Sequence, residues 1–492
     1  MEGGLLSGFL GALNFTNLMY CFVGCVLGTF VGVLPGLGPA ATSAILLPLT
    51  TYMPPAGAII MLAGIYYGAM YGGSTTSILV NVPGEASSVP TCLDGFQMTK
   101  QGRAGEALAI AAIGSFIAGT FGTVALSVMA PALAKMALKF GPPEYFALVF
   151  FSLTMLVSFS EGSLLKGLIA GGVGMYLACV GVDPLSGKQR LTFGSVHFSG
   201  GMDVIPVLMG LFGIGEVLTS AEEGILQLYE GKLGHLLPRG RELAKGIWAS
   251  IRGTISGFIL GLLPGMIPAV TSFIAYDLEK RISKTPQRFG TGCIEGVAAP
   301  EAANNATSQA GFIPLMSLGI PTSPTLAVIL AALMMYGLQP GPFLFIRHAD
   351  FAWAVIASMY IGNIILLILN LPLVGLWARL CLVPYRYIGP IVLGVCLVGA
   401  FSVRNRLFDI MTCIIFGILG YLMKRYHWPA APLILGLILG PMLEQSLRQS
   451  LELSGGSPFI LLSRPISLTL IVLTFILMIF ARKALSKPEL SG

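Results

Sequence analysis

The chain has 492 residues, of which 55% are hydrophobic and only 10% charged, and its mean hydropathy is +0.84. A soluble fold cannot cover this much apolar surface with so little polar surface, so the composition predicts an all-α polytopic membrane protein. The net charge of +6 is explained by Lys and Arg in cytoplasmic loops, and it therefore gives no reason to expect a nucleic-acid partner.

Hydrophobic segments follow one another along most of the chain. Residues 3–84 contain no Asp, Glu, Lys, Arg or His and are long enough for roughly three or four spans of about 20 residues each. No cleaved signal peptide is expected, because the N-terminus lacks a basic region. Several segments are short or interrupted, so we predict about 10 to 12 transmembrane helices in total. The later segments are 107–130, 144–160, 164–182, 203–219, 247–264, 311–338, 351–378, 387–400, 407–423, 430–443 and 465–481.

One motif occurs twice, at a constant offset of 229 residues. Prolines and glycines at this spacing interrupt a helix, because proline lacks the N–H donor and glycine permits positive φ. Such interruptions in corresponding positions of two halves are typical of transporters with a binding site between them. The first copy is Gly28, Gly32, Leu34, Pro35, Gly36, Pro39, Ala40, Thr42 and Ser43, and the second is Gly257, Gly261, Leu263, Pro264, Gly265, Pro268, Ala269, Thr271 and Ser272.

The duplication predicts two homologous repeats, expected to be inverted, each with a broken or re-entrant helix. The first repeat is assigned to residues 1–220. The second repeat, with the C-terminal helices, is assigned to residues 253–492. Between them, residues 221–252 are predicted to form a polar interfacial linker, either an amphipathic surface helix or a solvated connection.

A polar stretch follows each motif. The first contains Gly73-Ser74-Thr75-Thr76-Ser77 and then Asn81-Val82-Pro83, and the second contains Asn304-Asn305-Ala306-Thr307-Ser308 and then Gly319-Ile320-Pro321. We treat these stretches as counterparts. Because Ser77 and Pro83 are closer in sequence than Ser308 and Pro321, an insertion is expected in one copy.

Half-helices that begin near Pro39 and Pro268 would expose N–H groups with partial positive charge, which bind carboxylate without a charged side chain. Freed carbonyl groups at the opposite ends could coordinate Na⁺. The candidate substrate-binding residues are Gly36, Gly38, Thr42, Gly73, Ser74, Thr75, Thr76, Asn81, Pro264, Gly265, Thr271, Asn304, Asn305, Thr307 and Ser308. The candidates for ion coupling are Ser77, Glu85, Glu301, Gly319 and Thr322.

Structural roles compete with these assignments. Each Gly-x-x-x-Gly pair can serve close helix packing, and hydroxyl side chains inside helices often bond to the preceding turn. The eight cysteines and four histidines show no metal-ligand spacing, so no metal site and no other cofactor is predicted. No catalytic motif is present, so an enzyme is not expected.

The chain closely resembles the large membrane subunit of the tripartite tricarboxylate transporters. The resemblance is carried by the first Pro-Gly motif, by Tyr67-Gly68-Ala69-Met70-Tyr71-Gly72-Gly73-Ser74-Thr75-Thr76-Ser77, by Asn81-Val82-Pro83-Gly84-Glu85 and by Pro300-Glu301-Ala302-Ala303-Asn304-Asn305-Ala306. It extends over essentially the whole chain. One departure is Ile267 in place of Gly38, which predicts a less flexible second break and two half-sites that are not equivalent.

The resemblance implies a secondary transporter of the bacterial inner membrane that imports citrate or a related di- or tricarboxylate by alternating access, with an elevator-like movement. It also implies a periplasmic solute-binding protein that delivers the substrate, a small membrane subunit, and Na⁺ or H⁺ as the coupling ion. The alternatives are an anion channel, with the Gly-Gly-Ser-Thr-Thr-Ser run as its filter, and a carboxylate transporter that acts without a binding protein.

If the breaks are functional, Gly36→Leu or Pro264→Leu should abolish citrate uptake while the protein still inserts into the membrane. A leucine would rigidify or obstruct the interruption without changing charge. Radiolabelled citrate uptake, normalised to membrane-inserted protein, measures this. Normal transport by both variants would mean that the duplicated motif serves packing alone.

Overall fold

The computed structural model describes residues 4–34, 36–159, 163–183, 186–223, 235–238, 240–380 and 385–485. Over these ranges the protein is helical, apart from loops and one antiparallel pair of two-residue strands, β1 (Gly181–Val182) and β2 (Gln189–Arg190). The all-α prediction is therefore confirmed. The first group of helices is α1 (Leu5–Ala12), α2 (Phe15–Val33), α3 (Pro39–Thr50), α4 (Pro55–Val80), α5 (Val89–Lys100), α6 (Ala104–Ala137), α7 (Pro142–Phe159) and α8 (Leu164–Ala178).

The remaining helices continue to residue 485. The segment Met209–Ile214 is a π-helical stretch that joins two of them. These helices are α9 (Val196–Ser199), α10 (Val204–Leu208), α11 (Gly215–Glu223), α12 (Arg241–Gly261), α13 (Pro268–Ile282), α14 (Glu295–Ala310), α15 (Phe312–Leu318), α16 (Pro324–Met335), α17 (Pro342–Arg347), α18 (Ala349–Asn370), α19 (Val374–Leu380), α20 (Tyr385–Arg404), α21 (Leu407–Arg425), α22 (Ala430–Leu453), α23 (Ile460–Ser463) and α24 (Pro465–Leu485).

Seven helices in the described ranges are long and apolar enough to cross a membrane, so the protein is multi-pass. Six shorter apolar helices accompany them, as half-helices would. The total of about 10 to 12 crossings stays a prediction. The seven are Phe15–Val33, Pro55–Val80, Ala104–Ala137, Val204–Glu222, Ala349–Asn370, Leu407–Arg425 and Ala430–Leu453.

The hydrophobic segment predicted at 311–338 is divided into two helices. Helix α15 ends at Leu318, its C-cap Gly319 takes a left-handed φ of 75°, and α16 begins at Pro324. Pro321 and Pro324 cannot continue the α15 hydrogen-bond ladder, and this is the physical reason for the interruption.

The boundaries assigned to the linker and the two repeats stay predictions. Helix α12 begins at Arg241, inside the 221–252 segment assigned to the linker. Within that segment, residues 224–234 and 239 lie outside the described residues.

In two pairs of helices, glycine residues allow the backbones to pack directly against each other. Gly24, Gly28 and Gly32 of α2 face the backbone of α4 at Met61, Ile65 and Ala69, so that a β-carbon on any of them would meet backbone atoms. Gly253, Gly257 and Gly261 of α12 face α14 in the same way, at Ala299, Ala303 and Thr307. The Gly-x-x-x-Gly pairs therefore serve close helix packing. In both pairs of helices the contact residues increase in number together, so the two helices run parallel.

The numbering of these contacts changes the alignment of the polar stretches. The α12 glycines lie 229 residues after the α2 glycines, whereas Ala299, Ala303 and Thr307 lie 238 residues after Met61, Ile65 and Ala69. The left-handed residues that end the helices, Asn81 and Gly319, also differ by 238. The extra residues therefore precede α14. The two polar clusters lie at different heights along their helices, so Ser77 and Ser308 are not counterparts.

Helix α18 runs parallel to α2. Cys21 donates to the carbonyl of Ser358 at 3.5 Å, and Cys25 donates to the carbonyl of Gly362 at 3.7 Å. A step of four residues along α2 thus corresponds to a step of four residues in the same direction along α18. Since α2 is also parallel to α4, these three helices share one direction.

Helix α6 runs against α18. Asn363 donates to the carbonyl of Phe116 at 3.0 Å, while Tyr360, earlier in α18, lies 3.0 Å from the hydroxyl of Ser127, later in α6. Helix α6 is parallel to α14, because Ser115 pairs with Asn305 and Gly122 packs on Gln309. The group α6, α12 and α14 is consequently antiparallel to the group α2, α4 and α18.

Asp94 on α5 is fully buried and holds the loop between α13 and α14. Its Oδ1 accepts hydrogen bonds from the backbone N–H groups of Gly290, Gly292 and Cys293 at 2.7–2.9 Å, and its Oδ2 accepts one from the Tyr276 hydroxyl at 2.8 Å. Every one of these donors would lose its partner without the carboxylate. Asp94 is thus a structural anchor.

Asp94→Ala should lower the free energy of unfolding by about 3 kcal/mol or more, because it leaves several buried donors unsatisfied. Asp277→Ala is the matched control, since that carboxylate is 57% exposed and pairs with Arg281 within its own helix. Unfolding of the purified protein in detergent measures both. Equal stabilities for the two variants would contradict an anchoring role for Asp94.

Candidate functional site

The two predicted helix breaks are present and have the same backbone geometry. Gly36 and Gly265 take left-handed φ values of 88° and 86°. The residues before the next helices, Gly38 and Ile267, have φ, ψ of −72°, 165° and −74°, 157°. The positive φ explains why positions 36 and 265 are both glycine, because other residues are strained in this conformation. Pro35 lies outside the described residues.

The difference between Gly38 and Ile267 does not alter the backbone at either break. It affects the space available beside the break, because a β-carbon on Gly38 would lie 3.1 Å from Oε2 of Glu85. Gly38 therefore admits the Glu85 carboxylate to the N-terminus of α3, where the helix dipole favours a negative charge. The two breaks are not equivalent in this respect.

Four half-length helices begin with proline in the first two positions, namely α3, α5, α13 and α16. Proline there removes an N–H that has no intrahelical partner anyway, and it fixes φ for the helix. Helix α3 packs on α16, and α13 packs on α5 and on the 3-10 turn Ala86–Ser88. The backbone N–H of Gly265 donates to the carbonyl of Thr322 at 3.2 Å, which joins the second break to the start of α16.

A first group of candidate residues surrounds the first break. Gly73 and Gly84 pack against each other, and a β-carbon on Gly84 would meet the Gly32 carbonyl oxygen and lie 2.7 Å from Thr76 Oγ1. The Thr76 hydroxyl is fully buried and has no hydrogen-bond partner among the described residues. A buried hydroxyl without a partner is costly unless a ligand or ion satisfies it.

Other hydroxyls of this first group are already engaged in local bonds. Ser77 Oγ lies 3.0 Å from the Gly73 carbonyl and 2.8 Å from Ser88 Oγ. Ser74 donates to the Tyr71 carbonyl at 2.8 Å. Such back-bonding is the structural role that competes with binding. Thr75 is buried, whereas Asn81 is exposed and contributes its left-handed backbone at the end of α4.

A second group lies at the second break. Thr307 donates to Thr271 at 2.7 Å and lies 2.9 Å from the Gly257 carbonyl, so that α14 is tied to both α12 and α13. Thr42, near the first break, donates to the carbonyl of Gly38 at 3.2 Å. Ser308 bonds to the Asn305 carbonyl at 2.8 Å.

Glu301 belongs to a third, separate group on the other side of α14. It is fully buried and accepts hydrogen bonds from Thr91 at 2.5 Å and from Asn304 at 3.3 Å. Asn305 bonds to Asn304 at 2.7 Å and to Ser115 at 2.8 Å. Within the described ranges no Lys, Arg or His lies in ion-pair distance of Glu301. Glu301 thus contacts α5, Asn305 contacts α6, and Asn304 bonds to both of these residues within α14.

A cavity of about 750 Å³ extends from the second break to the ends of two long helices. At one end lie Gly265 of the second break, Ile267 at the N-terminus of α13, and Pro324 at the N-terminus of α16. No side chain caps the N-terminus of α13. The opposite end is formed by the last turns of α11 and α21 and the first residues of α22. The side chains on these walls are Glu216, Thr219, Glu222, Tyr421, Lys424, Arg425, His427 and Trp428.

The sequence did not indicate several residues that connect these groups. Tyr66 on α4 lies 3.1 Å from Ser323, the residue that caps α16, and Ser220 on α11 donates to the Gly36 carbonyl at 3.4 Å. Helix α11 thus contacts the first break and also lines the cavity at the second. Pro324 carries a usable signal, because proline followed by an apolar run marks the start of a helix.

Comparison with known proteins shows the family to which the chain is related. The chain matches the Tripartite tricarboxylate transporter TctA family over residues 18–435. It is 45% identical over 465 residues to an uncharacterized 52.8 kDa protein in the TAR-I ttuC' 3'region of Agrobacterium vitis, covering 94% of this chain and 93% of that protein. It is 44% identical over 212 residues to an uncharacterized protein in the TAR-II ttuC' 3'region of the same organism, covering 43% and 88%. No solved structure matches the chain.

Gly265→Ala should destabilise the protein more than Gly290→Ala, although both glycines have a φ of 86°. Each substitution places a β-carbon in the left-handed region, at about 1–2 kcal/mol. Only at Gly265 would this carbon lie 2.7 Å from the Leu156 Cα, whereas Gly290 has open space. The backbone clash adds about 1–3 kcal/mol.

Unfolding of the two alanine variants in detergent measures the difference in stability. The same loss of stability in both would contradict close packing of the second break on α7.

Proposed function

Because the chain belongs to the tripartite tricarboxylate transporter TctA family, we propose that it carries citrate or a related di- or tricarboxylate across the membrane, driven by an ion gradient. The observation that carries this proposal is the cavity that reaches the N-terminus of α13, which no side chain caps, beside the glycine of the second break. Pro268 has no N–H, and the N–H groups of Val270 and Thr271 donate to the Ile267 carbonyl. A carboxylate there would accept from the backbone N–H of Ala269 and neutralise the helix dipole.

Charge and its absence both favour an anionic substrate at this position. Residues 302–346 contain no charged side chain. The acids that line the cavity are Glu216 and Glu222, and they pair with Lys424 and Arg425. At the first break, by contrast, Glu85 lies against the start of α3. We therefore assign the substrate to the second break.

The first break is the proposed site of the coupling ion. The Gly32 carbonyl oxygen and the Thr76 hydroxyl, which has no partner among the described residues, both border Gly84, and the carboxylate of the next residue, Glu85, lies against Gly38. Oxygen ligands on freed carbonyls and small side chains suit Na⁺. Glu301 accepts from Thr91 and Asn304 and could bind a proton instead, so it is the candidate if H⁺ is the coupling ion.

Two inverted repeats would account for the antiparallel relation between the α2, α4, α18 group and the α12, α14, α6 group. The matching φ, ψ values at the breaks and the matching glycine contacts support this relation. Both breaks would then move together against the rest of the protein, in an elevator-like step. Cross-linking the half-helices to a static region would leave transport undiminished if this movement does not occur.

The proposed membrane is the bacterial inner membrane, with a periplasmic solute-binding protein and a small membrane subunit as partners. Basic residues concentrate on the face where the ends of α5 and α13 meet the starts of α6 and α12, held together by Glu242 pairs to Arg103 and Arg288. The positive-inside rule makes this face cytoplasmic. The basic residues there include Lys100, Arg103, Arg241, Lys245, Lys280, Arg281, Lys284 and Arg288.

Accumulation of radiolabelled citrate in cells that carry the chain with both proposed partners tests the function. Uptake against the concentration gradient, abolished by an ionophore, is the expected result. Equilibration without accumulation would favour the channel, and uptake that does not depend on the solute-binding protein would favour a transporter that acts alone.

Glu85→Gln should abolish stimulation of uptake by Na⁺, because it removes the charged oxygen ligand. Glu301→Gln should retain it, and Glu452→Gln, at an exposed position near the end of α22, is the control for loss of one acid. Uptake measured against Na⁺ concentration at fixed pH reports the effect. Loss of pH-driven uptake in Glu301→Gln with normal behaviour of Glu85→Gln would assign coupling to a proton instead.

A further inference from the structure

The mouth of the cavity carries two cations that the binding site itself lacks. Lys424 and Arg425, at the end of α21, line the same cavity as Gly265 and Ile267 at the second break. Their side chains are 47% and 53% exposed, so they lie where the cavity meets solvent. A carboxylate that leaves the second break along the cavity must pass them.

Both cations are paired with acids that also line the cavity. Lys424 Nζ lies 2.7 Å from Glu216 Oε1, and Arg425 lies 3.6 Å from Glu222 Oε1. The Tyr421 hydroxyl bridges the second pair, accepting from Arg425 at 2.6 Å and donating to Glu222 at 3.0 Å. Two positive and two negative charges thus balance at the mouth.

These pairs differ from the ion pairs that hold the fold together. Glu144, Asp183 and Glu279 are each only 4% exposed in their pairs with arginine, and breaking such a pair leaves a buried charge. At the mouth, Glu222 is 56% and Glu216 is 22% exposed in their pairs, and exposed pairs contribute little to stability. Arg425 can therefore exchange its partner at small cost, and Lys424, whose acid is more covered, at a larger cost that is still below that of the buried pairs.

We propose that Lys424 and Arg425 form a second, weaker carboxylate site at the cavity mouth, in which a di- or tricarboxylate replaces Glu216 and Glu222 as their partner. This inference rests on the proposed function, because it names the station at which the substrate enters or leaves. Two adjacent cations select anions with two or more charges. A monocarboxylate can displace only one of the acids and gains less.

Protection of a cysteine in the cavity wall tests the proposal. Thr219 lines the cavity between Glu216 and Glu222, and Thr219→Cys in the full-length chain provides a maleimide target there. Citrate should slow labelling of this cysteine, identified by peptide mass, and acetate at equal ionic strength should not.

Lys424→Gln with Arg425→Gln should raise the half-protecting citrate concentration about fivefold or more, the upper range for exposed pairs. Glu216→Gln should lower it, because it frees Lys424. Lys135→Gln, an exposed cation at the end of α6, should leave it unchanged. The opposite directions of the Lys424 and Glu216 variants exclude misfolding as the cause.

Equal half-protecting concentrations in all variants would overturn the second site, as would equal protection by citrate and acetate. The uptake assay distinguishes failure of the proposed function from failure of the second site. Charge-dependent protection without citrate accumulation would refute the proposed transport and leave an anion site. Accumulation by the wild type with charge-independent protection would refute the second site alone.

Discussion

The constraint on which this structure depends is that the hydrocarbon core offers no water to satisfy the ends of a helix. The chain nevertheless stops helices at Val33 and Gly261 and starts new ones at Pro39 and Pro268. Each stop exposes carbonyl groups and each start exposes N–H groups. These backbone groups supply polarity where charged side chains are absent from the sequence over residues 3–84 and 302–346.

The two breaks have equivalent backbone geometry, but different groups lie next to the helix start at each of them. At the first, Gly38 leaves room for the Glu85 carboxylate at the start of α3. At the second, Ile267 occupies the corresponding position and the start of α13 borders a cavity. A resident anion on one side and open space on the other fit a division between coupling ion and substrate. Helix α11 touches both sides, through Ser220 at the first break and Thr219 in the cavity wall.

The sequence predicts the breaks well because proline and glycine act locally. The same local rule, applied to Pro321 and Pro324, explains the division of the 311–338 segment. Composition shows that the two polar clusters are alike in kind, and only the glycine contacts of α2 and α12 reveal which turns of α4 and α14 correspond.

Other features of the site depend on residues far apart in sequence. Thr91 and Glu301 are separated by 210 residues, and the cavity brings together α7, α11, α13, α16, α21 and α22, which no local pattern connects. A lone polar residue such as Ser220 or Tyr66 gives no signal of its own, since hydroxyl groups in helices commonly bond to the preceding turn.

The central claim is that the backbone N–H of Ala269, at the start of α13, holds the substrate carboxylate. The most direct measurement is the dipolar coupling between citrate labelled with ¹³C at its carboxyl groups and the chain labelled with ¹⁵N at alanine, recorded on membranes saturated with citrate. The account predicts a coupling of the substrate to the backbone nitrogen of Ala269 that is lost in Gly265→Leu. Saturated citrate that shows no coupling to Ala269 would contradict it.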